Sequence, residues 1–360
     1  MFKRIVTVTT FLLFAGLTYL LFWPVPIDPV AWDAPEDQGY TGDFKPNDML
    51  SNVVKVDLGG YTNPEDIAIG PDGLVYMSSR QGALLRFNPQ NNQVSVFAET
   101  QGIPLGIEFG SDGYLYVADA YKGLLKVDKS GKVTLLANQT SAGSPILFAD
   151  DLDVDSSGMV YFTDASTKFG AKAYGGGLPA SLLDILEHGP NGRVLKYDPT
   201  TGETTTLYSG LSFANGLALT QDEKYILVVE TGSYAIHKIP VADSSSAEVI
   251  VSNLPGFPDN INDNSDGSFW VGLASPRSPP VDQLSDQPFL RKVVQRLPAF
   301  LRPKPIRYSF IVRMDENGKI LETLQDPAGG YALTTGAIDA PDGRIYISNL
   351  TENVFAYLQR

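Results

Sequence analysis

Three kinds of residue are missing or scarce in this chain of 360 residues. It contains no cysteine, which excludes disulfides, iron–sulfur clusters, thiolate zinc sites and a thiol nucleophile. Only His188 and His237 could supply imidazole, so a bound metal would be held mainly by oxygen. Basic residues are also short, with 27 Lys and Arg against 41 Asp and Glu and a formal charge of −14. That charge argues against nucleic acid as a partner and favours oxygen ligands for a cation.

What the chain does contain begins with a candidate membrane anchor at residues 1–23. Lys3 and Arg4 precede an uncharged stretch, 5–23, that is close to the roughly 20 residues needed to span a bilayer, and Pro24 follows it. The basic residues predict a single-pass anchor with a cytoplasmic N-terminus and an exported, periplasmic or extracytoplasmic remainder. A cleaved secretory signal is the alternative, although the stretch lacks a small-residue cleavage site. Residues 24–50, with five prolines, predict an extended linker.

Residues 51–360 repeat one pattern six times: an alternating strand, a tight turn, an aromatic-rich strand, a second turn and a third strand. Uninterrupted copies are spaced about 40–45 residues apart, the period of a four-stranded propeller blade. The sequence therefore predicts an all-β, six-bladed β-propeller, with a β-sandwich as the alternative. The sixth copy has only three strands, and residues 51–57 could supply its outer strand. The six copies begin at 67–77, 107–117, 152–162, 217–228, 261–271 and 337–347.

Two insertions interrupt the repeat, at about 168–190 and 275–307. The first contains a predicted helix at 181–186, could reach over the tunnel mouth and ends near His188. The second interleaves apolar residues at helical spacing with basic ones, so it is either a lid on the propeller or a segment that lies on an anionic membrane. His237 lies on an alternating strand and is predicted to be solvent-exposed on an outer face.

Carboxylate or carboxamide side chains recur at the start of four of the six first strands. Glu65, Asp150, Asn215 and Asp259 occupy the same phase of the repeat and are predicted to point into one mouth of the central tunnel. Carboxylates that share a buried space repel unless a cation or proton intervenes, and Ca²⁺ accepts six to eight oxygen ligands in irregular geometry. Mg²⁺ is the lesser option. The alternative is that these residues only form turns by bonding to adjacent backbone.

Several motifs in order resemble the strictosidine synthase-like family, in particular its adipocyte plasma membrane-associated branch, within a superfamily that includes gluconolactonases and paraoxonases. The resemblance implies a six-bladed propeller with a tunnel Ca²⁺ held by residues matching Glu65, Asp150, Asn215, Asp259 and Asn260. It also implies a second, structural Ca²⁺ held by Asp66, Asp151 and the carbonyl of Ile107. The motifs are PED at 64–66, DAYKGLL at 119–125, FADDLDV at 148–154, GRVLKYDP at 192–199, FANGLAL at 213–219 and LPGFPDNI at 254–261.

The chain departs from the family pattern at three places. Asp150 stands where the family usually has Asn, which adds a negative charge. Leu105 occupies the position of the paraoxonase histidine, and residues 333–337 contain no counterpart of the glutamate that strictosidine synthases use. The resemblance therefore implies a Ca²⁺-dependent hydrolase of lactones or aryl esters, with Asp259 as the base and Asp150 as a second candidate. The alternatives are a condensation enzyme of the strictosidine synthase type and a non-catalytic, calcium-stabilised binding propeller.

Overall fold

The chain forms six four-stranded antiparallel sheets arranged in a ring. A computed structural model describes residues 2–360. The first strand of each sheet contacts the first strand of the next sheet, and the sixth returns to the first, which closes the ring around a central tunnel. The predicted six-bladed β-propeller is confirmed. Closure leaves only short, protected strand edges at the rim of each blade.

The blades follow one another along the chain, and each runs from its inner to its outer strand. The exception is the sixth blade, whose outer strand comes from the beginning of the propeller, as predicted for residues 51–57. Here Val54 pairs with Tyr357 and Asp57 with Val354, so the two ends of the propeller are joined. The strands are β1 (Val54–Asp57), β2 (Ile67–Ile69), β3 (Val75–Met77), β4 (Ala83–Asn88), β5 (Gln93–Glu99), β6 (Pro104–Phe109), β7 (Leu115–Asp119), β8 (Gly123–Val127), β9 (Val133–Ala137), β10 (Ala149–Val154), β11 (Val160–Asp164), β12 (Gly192–Tyr197), β13 (Thr204–Leu211), β14 (Ala214–Leu219), β15 (Tyr225–Glu230), β16 (Ala235–Pro240), β17 (Glu248–Val251), β18 (Gly256–Asp263), β19 (Ser268–Pro276), β20 (Ser309–Asp315), β21 (Ile320–Asp326), β22 (Thr334–Asp339), β23 (Arg344–Asn349) and β24 (Val354–Gln359).

An Asp-Gly turn joins the first two strands in several blades and fixes the hairpin register. In the first blade, Asp72 Oδ1 accepts the N–H of Leu74, and Asp72 Oδ2 accepts the hydroxyl of Tyr76 at 2.9 Å. Gly73 adopts a φ of 75°, which few other residues tolerate. The same aspartate-to-tyrosine bond recurs between Asp112 and Tyr116 and between Asp342 and Tyr346. The repeated sequence pattern therefore forms the same hydrogen-bonded turn in each of these three blades.

The hydrophobic core is divided among the six contacts between neighbouring blades. Aromatic rings from the first and sixth blades show the pattern: Phe87 packs against Phe355 with ring centroids 5.8 Å apart, and Phe355 stacks on Tyr346 at 5.5 Å. Each of the other five contacts has its own cluster of buried side chains from two adjacent blades. Because a blade buries its faces only against its neighbours, the ring is stable as a whole rather than blade by blade.

The N-terminal helix α1 (Phe2–Phe22) is long and apolar enough to cross a membrane. The segment 24–50 that follows was predicted to be an extended linker. In the structure it packs onto the propeller. Ile27 is buried, the amide of Val30 donates to the carbonyl of Glu187, and the amide of Leu50 donates to that of Gln325. Helix α1 is therefore joined to the propeller by a strap, residues 24–50, with fixed contacts.

Both insertions form helices at the same end of the propeller. The first contains α2 (Gly177–Glu187), which begins four residues before the predicted helix and ends one residue after it. The second contains α3 (Pro279–Gln283), α4 (Pro288–Arg296) and a short 3-10 turn at Ala299–Leu301. Helix α4 contacts both α1 and α2, so the two insertions and the anchor meet.

Candidate functional site

The first strands of the second to sixth blades each contain a β-bulge, and the predicted site residues of the third, fourth and fifth blades lie in these bulges. Glu65 and Asp66 directly precede β2 of the first blade, which pairs with β3 without a bulge. Pairing with the second strand shifts register between Ala149 and Leu152, so Asp150 and Asp151 form the bulge of the third blade. A bulge inserts an extra residue and re-aims the side chains around it. The bulge thus lets Asp150 face the tunnel while Asp151 reaches the backbone of the next blade. The other four bulges lie between Pro104 and Ile107, Ala214 and Leu217, Pro258 and Ile261, and Thr334 and Ala337.

A single cavity of about 510 Å³ lies at one mouth of the tunnel, and the first bulge residues of the second to fifth blades line it. Glu65, Asp150, Asn215 and Asp259 all line it, as their common phase in the repeat predicts. Asn215 Nδ2 donates to Asp259 Oδ1 at 2.9 Å, which links the fourth and fifth blades. Asn260 Nδ2 donates to Glu65 Oε1 at 3.2 Å, which links the fifth and first. Five oxygen-bearing side chains from four blades therefore meet at this end of the tunnel.

These carboxylates lie close enough to resist ionisation together. Burial and the charges of Asp259 and Asp150 raise the pKa of Glu65 well above its ordinary value. Burial, with the charges of Asp259 and Asp164, does the same to the pKa of Asp150. Burial raises the pKa of Asp259 to about 7, although the bond from Asn215 opposes the shift. A cation among them would offset both the desolvation and the repulsion.

Three buried oxygens in this group accept no hydrogen bond: Glu65 Oε2, Asn215 Oδ1 and Asn260 Oδ1. Buried polar atoms without partners are rare and costly, and a bound ion is one of their ordinary explanations. Among residues 2–360, no three acidic or imidazole groups are already arranged as a metal site. A cation here would thus need the two asparagine amide oxygens as well as the carboxylates. All five are hard oxygen donors, so the residues present fit Ca²⁺.

The residues predicted to hold a second Ca²⁺ have other partners in the structure. Asp66 Oδ2 accepts the N–H of Ile107 at 2.8 Å, and Asp66 Oδ1 accepts Asn262 Nδ2 at 3.0 Å. Asp151 accepts the backbone N–H groups of Leu152 and Leu217, each at 2.8 Å. Ile107 contacts Asp66 through its backbone N–H, not through the carbonyl that was predicted to bind the cation. These contacts join the first blade to the second and the third to the fourth, so the second cation stays a prediction without unpartnered oxygens to support it.

Glycine alternates with polar residues at the second bulge position around the ring. A Cβ on Gly106 would lie 2.4 Å from Asp151 Oδ1, and one on Gly216 would lie 2.6 Å from the carbonyl oxygen of Asp259. The missing side chains thus make room for the polar residues of neighbouring blades. Sequence reasoning missed this alternation, although it can be read in the six residue pairs at this phase of the repeat, five of which lie in bulges. In chain order they are Glu65-Asp66, Leu105-Gly106, Asp150-Asp151, Asn215-Gly216, Asp259-Asn260 and Thr335-Gly336.

The remaining wall of the cavity is largely apolar and comes from both insertions. Helix α2 contributes Leu182 and Leu186, and the second insertion contributes Ile306. The first insertion does reach over the tunnel mouth, as predicted. Leu105, at the position of the paraoxonase histidine, also lines the cavity. Arg80, which the sequence did not single out, adds a positive charge to the lining.

Neither histidine lines the cavity. His188 stacks on Trp32 with ring centroids 3.9 Å apart, and burial lowers its pKa to about 4. The predicted exposure of His237 is wrong: it is 9% exposed, and its Nε2 lies 2.7 Å from Glu230 Oε2. The outermost strand of the fourth blade and Glu230 cover the imidazole of His237, which the strand pattern alone predicted to be exposed to solvent.

A closed six-bladed ring with an acidic cavity at one mouth places this chain in the fold of gluconolactonase-like propellers. A gluconolactonase from Xanthomonas campestris superposes with a TM-score of 0.62 over 93% of this chain and 98% of that chain, at 16% identity. A calcium-binding protein, regucalcin, from Agrobacterium tumefaciens gives a TM-score of 0.59 over 85% of this chain and 93% of that chain, also at 16% identity. At these identities the likeness concerns the fold.

The chain belongs to the strictosidine synthase-like family, as its motifs predict. The strictosidine synthase profile matches residues 150–244, and the profile of the strictosidine synthase-like N-terminal region matches residues 42–87. Adipocyte plasma membrane-associated protein from Salmo salar is 33% identical over 351 residues, covering 90% of this chain and 82% of the relative. The Homo sapiens protein of that name is 30% identical over 96% of this chain and 88% of its own length. Strictosidine synthase-like 10 from Arabidopsis thaliana is 32% identical over 84% of this chain and 87% of its own length.

Proposed function

We propose that this protein is a calcium-dependent hydrolase of lactones or aryl esters, anchored in a membrane by α1. The observation that carries the proposal is the group of three unpartnered buried oxygens beside two carboxylates of raised pKa, at the floor of an otherwise apolar cavity. The gluconolactonase named above gives the proposal a chemical precedent on the same fold. Lys3 and Arg4 before α1 support a cytoplasmic N-terminus and an exported propeller.

Glu65, Asp150, Asn215, Asp259 and Asn260 would hold the cation. When bound, Ca²⁺ would stabilise the negative charge that develops on a carbonyl oxygen and would make a nearby water more acidic. The apolar walls from α2 and the second insertion would accept the hydrocarbon part of a substrate and exclude bulk water. The site thus combines a polar floor with a hydrophobic vestibule, as ester and lactone chemistry requires.

Asp259 is the proposed general base, and Asp150 is the second candidate. The Asn215 side chain holds Oδ1 of Asp259 and so fixes the orientation of its carboxylate. Without a cation the pKa of Asp259 is about 7, and a bound Ca²⁺ would lower it, so that Asp259 would be an ionised carboxylate able to accept a proton from water near neutral pH. Because neither histidine lines the cavity, the titratable groups available at its floor are carboxylates.

The structure does not favour condensation chemistry of the strictosidine synthase type. Thr334 and Thr335 stand at the start of the last blade, where that chemistry would need a glutamate. Thr335 Oγ1 donates to the backbone carbonyl of Glu65 at 2.6 Å and lies 2.7 Å from Ser348 Oγ. It therefore braces the metal-ligand candidate Glu65 rather than offering an acid or base.

The test compares two aspartates on the same strand of the full-length protein, Asp259→Asn and Asp263→Asn. Asp263 also has a raised pKa but lies outside the cavity. We expect Asp259→Asn to lower kcat for aryl acetates and γ-lactones by about 100-fold or more, the size of a general-base contribution, and to weaken Ca²⁺ binding in calorimetry. Asp263→Asn should retain both properties. Turnover by the unmodified protein should vanish in EGTA and return with Ca²⁺.

Two outcomes would reject the proposal. Undiminished turnover and Ca²⁺ affinity in Asp259→Asn would remove that residue from the mechanism. Tight Ca²⁺ binding without turnover of any ester or lactone would leave the calcium-stabilised binding propeller as the better description. Protease accessibility of the propeller in intact cells tests the export separately, because a protected propeller would contradict the proposed orientation.

A further inference from the structure

The rim of the cavity is attached directly to the end of the membrane helix. Arg296, at the end of α4, is 7% exposed and donates to the carbonyl of Trp23 at 2.5 Å and to that of Leu20 at 3.0 Å. Carbonyls in the last turn of a helix lack intrahelical donors, so this arginine caps α1 and complements its dipole. A helix that spans a bilayer ends at the membrane interface. The end of α4 is therefore held at that interface too.

A second buried arginine makes the surrounding elements one rigid unit. Arg291 of α4 is 1% exposed and donates to the carbonyls of Leu186 at 3.1 Å and Ser285 at 3.0 Å, and also to that of Val30. It thus ties α4 to α2 and to the strap that follows the anchor. Val25 of the strap and Val294 of α4 pack into the same apolar cluster as Leu183 of α2. The rim has little freedom to turn away from the membrane.

The surface of this unit exposes large apolar side chains in a group. Phe300 is 74% exposed, and others follow on the same insertion and on α2. Single exposed apolar residues need no explanation, but seven on the two insertions that meet at the rim indicate an interaction site. We call this group the rim patch. It consists of Leu178, Leu182, Phe289, Leu290, Phe300, Leu301 and Ile306.

The charge around the rim patch has the opposite sign to that of the molecule. Residues 275–307 carry seven Lys and Arg against two Asp, in a protein whose formal charge is −14. Lys304 is exposed, Arg302 is half-buried, and both lie at the cavity mouth beside Ile306. Apolar side chains flanked by basic ones are the composition of segments that bind anionic lipid surfaces.

The rim patch and the cavity mouth share residues. Leu178, Leu182 and Ile306 are exposed members of the patch and also line the cavity that leads to Asp259. We propose that the rim patch is seated in the anionic surface of the membrane that α1 spans, so that the cavity opens into the lipid interface. This inference rests on the proposed hydrolase function. The substrate is then an amphiphilic ester or lactone that enters from the bilayer, with its polar group at the acidic floor of the cavity.

The absence of cysteine allows a direct test of the seating. Phe300→Cys and Leu135→Cys each give the full-length chain one cysteine for a polarity-sensitive NBD label. Leu135, on the outer strand β9 of the second blade, is 51% exposed and belongs to neither the rim patch nor the cavity lining. Both are reconstituted in vesicles of phosphatidylcholine with phosphatidylglycerol. The label at 300 should emit blue-shifted light and be quenched by lipids that carry a nitroxide on the acyl chain. The label at 135 should do neither. A label at 300 that behaves like the one at 135 overturns the proposal.

A kinetic comparison tests the substrate class. Neither Phe300 nor Leu301 lines the cavity, so Phe300→Asp/Leu301→Asp should leave turnover of a short, water-soluble lactone unchanged. The same double variant should raise KM about tenfold or more for a long-chain lactone presented in vesicles, since it removes membrane contact. Leu135→Asp should change neither. Equal effects on both substrates would reject uptake from the bilayer. If no substrate is turned over, the hydrolase proposal fails, while the fluorescence still decides whether the rim patch is seated.

Discussion

Asp150 and Asp151 are consecutive residues of the same type in one bulge, yet their surroundings differ. Asp150 faces the cavity, close to Asp259 and Glu65, where repulsion and burial oppose its charge. Asp151 turns toward the next blade, and its two oxygens accept two backbone N–H groups. The first position of the bulge gathers charge that lacks a counter-ion. Burial also raises the pKa of Asp151 well above its ordinary value, but at the second position both oxygens have backbone N–H partners, one of them in the next blade.

The first blade shows the same difference between an unpartnered first residue and a hydrogen-bonded second residue, whereas the fifth blade shows it only in part. Glu65 keeps one unpartnered oxygen, whereas both oxygens of Asp66 accept hydrogen bonds. Asn260 holds a second bulge position and donates to the carbonyl of Glu65 at 3.0 Å, but its own Oδ1 is unpartnered. We call the first residues of the six pairs the first ring and the second residues the second ring. Asn260 is in the second ring by position but contributes to both, because its amide nitrogen bonds to the first blade and its oxygen is free for a cation.

The largest effect that follows from this comparison is stabilisation by Ca²⁺. A ligand that binds only the folded state adds about 2.7 kcal/mol to the free energy of unfolding at 100 times its Kd and about 4.1 kcal/mol at 1,000 times. We expect Ca²⁺ to raise the melting temperature of the full-length protein relative to EGTA. Glu65→Gln should reduce that increment. Equal melting temperatures in Ca²⁺ and EGTA would mean that the first ring needs no cation.

Alanine substitutions at Asp150 and Asp151 should have different effects on the free energy of unfolding and on Ca²⁺ affinity. In EGTA, Asp151→Ala leaves two buried N–H groups without acceptors and opens a small cavity, so the free energy of unfolding should fall by about 2–4 kcal/mol. Asp150→Ala removes a repelled charge, so stability in EGTA should be unchanged or higher, while Ca²⁺ affinity falls. Chemical denaturation and calorimetric titration measure the two quantities. A larger stability loss at Asp150 than at Asp151 would contradict the division.

The fold and the first ring could be predicted from the sequence because both are repeated. Six copies of one strand pattern specified the propeller and its closing strand at Val54–Asp57, and Glu65, Asp150, Asn215 and Asp259 stood at one phase of that pattern. Repetition converts a weak local signal into a strong one, because each blade must build the same interface.

The features that sequence reasoning missed depend on contacts between distant segments. The packing of strap residues 24–50 on the propeller follows from Arg291 and Arg277, which bond to strap carbonyls more than 240 residues away. The partners of Asp66 and Asp151 follow from bulges, which no single residue type announces. The burial of His237 follows from Glu230 and the outer strand of its blade. None of these leaves a periodic trace in the sequence.

The smallest expected effect is a pH dependence that Ca²⁺ should suppress. In EGTA the folded state binds more protons than the unfolded state at neutral pH, because burial raises the pKa values of its inner carboxyls. The pKa values of Asp259 and Asp153 are about 7, and those of Glu65, Asp150, Asp151 and Glu108 lie well above their ordinary range. Stability should then fall by about 1–2 kcal/mol as pH rises from 7 to 8.5. His188, whose lowered pKa costs stability only as pH falls below about 6.5, is neutral in both states in this range. Because Ca²⁺ would compete with these protons, the increment it adds should grow with pH, and Asp259→Asn should flatten the slope in EGTA. Denaturation midpoints that stay level or rise with pH in EGTA would show that the first-ring carboxylates already share their charge with a partner inside the protein.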